Sequence, residues 1–143
     1  METAEAPKET VTEVSGSYKV ENILLTEFNF KRDSEIDFSK EIENKISITT
    51  ESANFENNDK IVISLKVIVE ALQEAKIVFS LDTTMNGIFF KEGEPKLPED
   101  IFKKVNAPAI IYPFIREQMA TTCLKAGLGT VFLPPVNFVE RNK

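Results

Sequence analysis

The feature that most constrains this fold is a ten-residue run of strict alternation between Ile61 and Glu70. Every odd position of the run is apolar: Ile61, Ile63, Leu65, Val67 and Val69. The even positions mix apolar, polar and charged residues: Val62, Ser64, Lys66, Ile68 and Glu70. Because side chains alternate between the two faces of a strand, the run predicts a β-strand with one face in the core and one mixed face.

Weaker alternation on both sides of this run extends the predicted sheet to four antiparallel strands. Strands are expected over 18–32, 42–51 and 75–81 as well. The Asn- and Asp-rich link 54–59 and the short link 72–74 predict two hairpins. Strict alternation in the first strand would put Ile23 and Leu25 on one side and Leu24, Phe28 and Phe30 on the other.

After Lys91 the sequence changes from strand to helix patterns. A loop rich in charge and proline leads to Pro98, which is suited to begin a short helix through Val105. A longer helix is predicted from 108 to 126, with a core face at Ile111, Phe114, Ile115, Met119 and Thr122. Gly127 is placed to end it, and Pro113 predicts a helix that begins near it or kinks there. The fold class is therefore α+β, with helices covering one face of the sheet.

Charge and composition exclude several classes of function. The chain has 143 residues, a net charge of −6, one Cys and no His. An acidic chain has no electrostatic footprint for nucleic acid, and no segment has the apolar length of a membrane span. The first seventeen residues, with four Glu and one Lys, are typical of a disordered tail and lack a secretory signal. We expect a cytoplasmic protein with one domain over 18–143.

Candidate catalytic or metal-binding groups are weak. Cys123 has no imidazole available as a base, and a lone Cys in an apolar helix is usually core. Gly127-Leu128-Gly129 lacks the third glycine of a phosphate loop and follows a helix. The oxygen-rich 56–59 lacks the glycine and terminal Glu of a calcium loop. We therefore predict no enzyme activity, no metal and no cofactor.

The informative excess is aromatic. Eleven Phe residues are many for one domain, and several are predicted where a single helix layer cannot cover them all: Phe28, Phe30, Phe89, Phe90, Phe132 and Phe138. Each one alone is most simply a core residue. Together they predict surplus apolar surface, which marks self-association or a binding groove.

The C-terminal third resembles the bacterial export chaperone SecB. The run 106–117, NAPAIIYPFIRE, and the run 133–138, LPPVNF, are similar to that family's "NAP-x-I-L-F-P-Y-A-R-E" and "A-P-V-N-F" motifs. The segment 85–90, MNGIFF, is similar to the end of the family's fourth strand. The resemblance weakens toward Tyr18.

The resemblance implies a SecB-like fold, a homotetramer built as a dimer of dimers, and an ATP-independent holdase for unfolded preproteins. By position it implies a peptide-binding groove and an interface on the long helix. The groove residues would be Phe28, Phe30, Phe132, Val136 and Phe138. The interface residues would be Tyr112, Ile115 and Met119.

Two departures from the family pattern keep an alternative open. The first-strand acidic motif that serves docking on the SecA motor keeps its first acid as Glu27, but Lys31 replaces the second. The family also has a helix after the last motif, where this sequence has five residues beyond Phe138. The alternative is an adaptor of the same fold that binds one specific partner, such as a toxin–antitoxin component, without docking on the motor.

Overall fold

A computed structural model of the chain describes residues 16–54, 59–129 and 133–142. Four long strands come first: β1 (Gly16–Arg32), β2 (Glu43–Asn54), β3 (Lys60–Gln73) and β4 (Lys76–Gly93). They form one antiparallel sheet in the order β1-β4-β3-β2, which confirms the predicted sheet. β1 begins at Gly16, two residues before the predicted start. The predicted tail through residue 15 and the turn at 55–58 lie outside the described residues.

The helical part is one continuous element of mixed geometry, not the two helices that the sequence predicts. Helix α1 (Glu99–Ile101) runs into a π-helical turn (Phe102–Asn106) and then into α2 (Ala107–Lys125). We call the whole element 99–125 the long helix. Pro113 lies inside α2, and the four-residue α3 (Phe138–Arg141) follows near the C-terminus.

The end of the long helix has the predicted form. Gly127 adopts a φ of 71°, the left-handed region that glycine enters without steric cost. Its N–H donates to the Leu124 carbonyl at 3.2 Å, and the Leu128 N–H donates to the Cys123 carbonyl at 2.9 Å. These two bonds form a Schellman motif, which satisfies carbonyls that the helix end would otherwise leave unpaired.

The core lies between the long helix and the two central strands. On β3, the odd-numbered side chains from Ile61 to Ala71 are at most 1% exposed, as the alternation predicts. An added Cβ at Gly87 of β4 would lie 2.8 Å from Ile111 Cδ1, so the helix crosses the sheet at this glycine. The helix face toward the sheet consists of Pro108, Ile111, Tyr112, Ile115, Met119 and Cys123. Phe114 was predicted on this face but is 50% exposed.

Candidate functional site

The surplus apolar surface lies along β1 and results from two β-bulges. The register of β1 against β4 shifts between Val20 and Asn22 and again between Leu25 and Glu27. Each extra residue reverses the alternation, and residues paired across a ladder share a face. Leu25 pairs with Met85 and Phe28 pairs with Thr83, so both project toward the helix layer. Strict alternation placed them on opposite faces, and that expectation is wrong.

The helix covers β3 and β4 but leaves much of β1 open. Val20, Leu25 and Phe28 are 48%, 47% and 37% exposed, although they lie on the same face as the core. Ile23 and Phe30 on this face are half-buried and pack against the core cluster. We call these five residues the β1 flank. Apolar side chains in such a continuous row are unusual on a free surface and indicate an interaction site.

The long helix has four exposed apolar side chains: Ile101 (46%), Ile110 (38%), Phe114 (50%) and Leu124 (61%). Tyr112 faces the C-terminal segment, where its hydroxyl donates to the Pro134 carbonyl at 2.6 Å. Phe114 comes two residues later, about 200° around the helix axis, and therefore points away from the side that holds Tyr112. The long helix thus has exposed apolar surface in addition to the β1 flank.

The structure separates the four predicted groove residues that it describes. Phe28 and Phe30 belong to the β1 flank, with Phe30 half-buried. Phe138 is only 4% exposed and makes an edge-to-face contact with Tyr112 at 5.9 Å between ring centroids. Val136 is half-buried and packs against the core cluster. Phe132 lies outside the described residues.

The three residues predicted at a subunit interface lie inside the subunit itself. Tyr112, Ile115 and Met119 are 4%, 0% and 2% exposed. Burial raises the pKa of the Tyr112 hydroxyl, which indicates that it remains neutral. These side chains pack against the sheet within the subunit, and their place at a subunit interface stays a prediction. Ile110 and Phe114 are among the exposed apolar residues of the long helix.

The second face of the sheet is mixed, with charged and polar side chains among apolar ones such as Leu24, which is 42% exposed. Glu27 pairs with Thr84 and is exposed there, and Lys31 pairs with Ser80 on the same face. Asp82 lies between them on β4, with one carboxylate oxygen 3.6 Å from the Lys66 ammonium. Sequence reasoning missed Asp82. Three buried oxygen atoms on this face have no hydrogen-bond partner among the described residues: Asp82 Oδ1, Thr84 Oγ1 and Asn86 Oδ1.

The crossover between β1 and β2 forms a second exposed apolar feature that the sequence did not identify. Phe38 in this segment is 57% exposed. The segment is held by the Gln73 side chain, whose Nε2 donates to the Asp37 carbonyl at 2.5 Å and the Lys40 carbonyl at 3.4 Å. Two clefts of about 580 and 540 Å³ adjoin it and share Asp33 as a lining residue; the larger is also lined by Phe30.

Chemical groups for catalysis are sparse in the part of the chain that the structure describes. Cys123 is 0% exposed, and burial raises its thiol pKa. No cluster of three or more metal-ligating side chains occurs within 16–54, 59–129 and 133–142. Over the same ranges, no helix has the length and apolarity needed to cross a membrane. The described residues provide exposed apolar surface and polar strand edges, and both can bind another polypeptide.

Comparison with known proteins agrees with this description. A family model described as "Preprotein translocase subunit SecB" matches residues 13–141. A protein-export protein SecB from Neisseria meningitidis is 30% identical over 98 residues, which are 68% of this chain and 67% of the relative. Another, from Acinetobacter baumannii, is 27% identical over 129 residues, 88% of this chain and 84% of the relative. A third, from Acinetobacter baylyi, is 35% identical over 53% of this chain and 50% of the relative.

One solved structure shares the fold. It is a SecB-like chaperone of Mycobacterium tuberculosis in complex with a peptide from an antitoxin. The TM-score is 0.73 at 14% sequence identity, over 84% of this chain and 91% of that one. Fold and relatives together define the class as that of SecB-type chaperones. The chain belongs to the SecB family, as its sequence motifs predict. Its alignments span between 50% and 84% of the length of these relatives.

Proposed function

We propose that this chain is an ATP-independent holdase that binds unfolded preproteins and keeps them competent for export from the cytoplasm. The observation that carries the proposal is the β1 flank, with three apolar side chains 37–48% exposed on the core side of the sheet. Burial of apolar area contributes about 25 cal/mol per Å² without directional demands. A surface of this kind therefore accepts many sequences, as a holdase requires. The proposed function requires neither an enzyme activity nor a cofactor.

The proposed client path runs from Phe28 past Phe30 into the larger cleft and on to Phe38. Phe30 lines that cleft together with Ile77 and Phe79. Apolar client segments would be buried against these aromatic rings, and intervening polar segments would remain in water. Subunits would associate through the exposed side of the long helix, at Ile110 and Phe114, into the homotetramer that the family resemblance implies.

Suppression of client aggregation tests the proposal directly. An unfolded, reduced client protein is diluted from denaturant with a fourfold excess of subunits, and light scattering is recorded. We expect suppression by the native chain and weaker suppression by Phe28→Ser. The matched control is Leu24→Ser, because Leu24 is 42% exposed on the same strand but on the opposite face of the sheet. Unchanged client aggregation with the native chain would refute the holdase proposal.

Docking on the SecA motor is proposed for the second face of the sheet, which holds Glu27. Glu27 is exposed there and Asp82 lies on the neighbouring strand, which supports a patch of acids. Lys31 on the same face reduces the negative potential, so we expect weak docking. Charge reversal by Glu27→Lys should weaken binding of the purified motor further, and Lys31→Glu should strengthen it.

A second candidate function is an adaptor for one specific partner. It is favoured by the structural neighbour, which was solved with an antitoxin peptide. An adaptor would retain one stoichiometric partner in a pull-down from its own cells and would show no affinity for reduced, unfolded proteins. A holdase would show the reverse, so the two functions are separable in one pair of experiments.

A further inference from the structure

The two outer edges of the sheet differ in regularity. β2 pairs only with β3, so the other side of β2 is an open edge. Its register against β3 runs over twelve residues, from Glu43↔Leu72 to Asn54↔Ile61, without a shift. β1, the other edge strand, has two register shifts. An unbroken edge presents main-chain donors and acceptors at a regular spacing, which is a template for one more strand.

A side chain already occupies one acceptor of this edge. Arg141 of α3 donates from Nη2 to the Ile48 carbonyl oxygen at 2.5 Å. The carbonyl is therefore directed away from β3. Because main-chain groups of a strand alternate in direction, the N–H and C=O of Thr50 and Ser52 point outward as well. The Arg141 guanidinium occupies the position that an N–H donor of an added strand would take.

A cleft of about 330 Å³ lies beside this part of the edge. Thr50, Glu51 and Ser52 form one wall; Asp100, Lys103, Lys104 and Asn142 form the other. Lys103 is held at one end by Asn54, at 2.6 Å, and by Glu99, at 3.2 Å. The Asn142 amide donates to the Lys104 carbonyl at 2.9 Å and closes the side toward α3. The cleft is thus lined by polar and charged residues, whose aliphatic carbons also contribute to its surface.

We propose that an extended client segment adds to β2 as a fifth strand along residues 48–52, and that α3 is a latch whose Arg141 must leave first. The inference rests on the proposed function and deepens it, because it adds main-chain recognition to apolar burial. Client is the occupant that fits best, since the edge offers main-chain hydrogen bonds that every sequence can make. Thr50, Glu51 and Ser52 are exposed and impose little selection on side chains.

Proline substitution tests the edge without breaking the sheet. Thr50→Pro removes one outward N–H, and proline is tolerated where an edge N–H faces solvent. Thr50→Ala keeps the N–H and is the matched control. The probe is a fluorescein-labelled twelve-residue peptide of alternating Val and Thr, measured by anisotropy with the full chain. We expect Thr50→Pro to weaken binding about three- to tenfold and Thr50→Ala to leave it unchanged.

The latch is tested by Arg141→Ala, which frees the Ile48 carbonyl. We expect the probe to bind several-fold more tightly to this variant. A second peptide, N-methylated at every other amide along the edge that would face β2, should bind neither the native chain nor Arg141→Ala. Melting temperatures of all variants, measured by circular dichroism, verify that each is folded.

The outcomes separate this inference from the holdase proposal. Equal binding of the probe to Thr50→Pro and Thr50→Ala overturns the inference, and the holdase proposal stands if both still suppress aggregation. Failure of the native chain to suppress aggregation overturns the proposed function itself. Concentration-dependent dimers of Arg141→Ala without tighter probe binding would assign the edge to a second copy of the chain. Displacement of the probe by a synthetic peptide of residues 1–15 alone would assign it to the N-terminal segment, and both results overturn client addition.

Discussion

Gly87→Ala tests whether the long helix crosses the sheet as closely as the structure shows. A Cβ at this position would lie 2.6 Å from Phe89 Cε2 and 2.8 Å from Ile111 Cδ1. Real Cβ atoms essentially never approach a neighbour below 3.0 Å, so at least one side chain must move. Both neighbours are 0% exposed and are surrounded by core, which leaves little room for either to adjust.

Overpacking of this kind costs about 1–3 kcal/mol of unfolding free energy. For a chain of this length the loss lowers the melting temperature by roughly 2–4 °C per kcal/mol. Ile111→Val removes the Cδ1 methyl and alone costs about 0.5–1.5 kcal/mol. In the double variant the two changes partly compensate, because the new methyl fills the space that the old one leaves. We expect a coupling free energy of at least about 0.5 kcal/mol.

Urea denaturation followed by circular dichroism, at one fixed protein concentration, measures these free energies. The matched control is Ile115→Val, a buried helix position that is not among the nearest neighbours of the added Cβ. Its cost should be the same with glycine or alanine at position 87. The close crossing would be refuted if Gly87→Ala were as stable as the native chain, or if Ile111→Val cost the same in both backgrounds.

Three further predictions concern the periphery of the core. Arg32 donates to the carbonyl of Ala126, directly after the long helix, and Arg32→Gln should lower the free energy of unfolding by about 1–2 kcal/mol in urea denaturation. Burial raises the pKa of Tyr18 and Tyr112 in the folded chain. The unfolded state therefore releases these protons at lower pH than the folded state does. The free energy of unfolding should be constant to about pH 9 and fall as pH rises through 10 and above. Tyr112→Phe should reduce this fall when melting temperatures are measured over an alkaline pH series. Cys123 should react with a thiol reagent at least about 100-fold more slowly in the native chain than in denaturant, and equal rates would contradict its burial.

Much of the fold follows from periodic patterns. The alternation at Ile61–Glu70 identifies β3 and the face that it buries, because only one register puts the apolar set inside. The end of the long helix follows from Gly127. Bulges and π-turns leave weaker signals, since each inserts one residue without a characteristic composition. The two bulges of β1 and the turn at 102–106 were missed for this reason, and the face of Phe28 was wrongly predicted with them.

The candidate site was only partly predictable. Surplus phenylalanine predicted open apolar surface, and the β1 flank confirms that such surface exists on β1. Helical periodicity indicates which residues share a face but not which neighbour covers it. Tyr112 and Ile115 therefore suited a subunit interface as well as the core. Phe38 and Asp82 were missed because an isolated aromatic in a loop and a single acid in a strand look like many others.

The unequal edges of the sheet also bear on polymerisation. A sheet that is open on both sides risks head-to-tail growth, in which the first strand of one molecule pairs with the last strand of the next and the series never closes. Such growth requires both edges to follow the same repeat. The bulges at Glu21 and Thr26 displace the main-chain groups of β1, whereas β2 keeps its repeat throughout. The two edges therefore do not share a repeat, which disfavours edge-to-edge growth into fibres while apolar surface stays exposed.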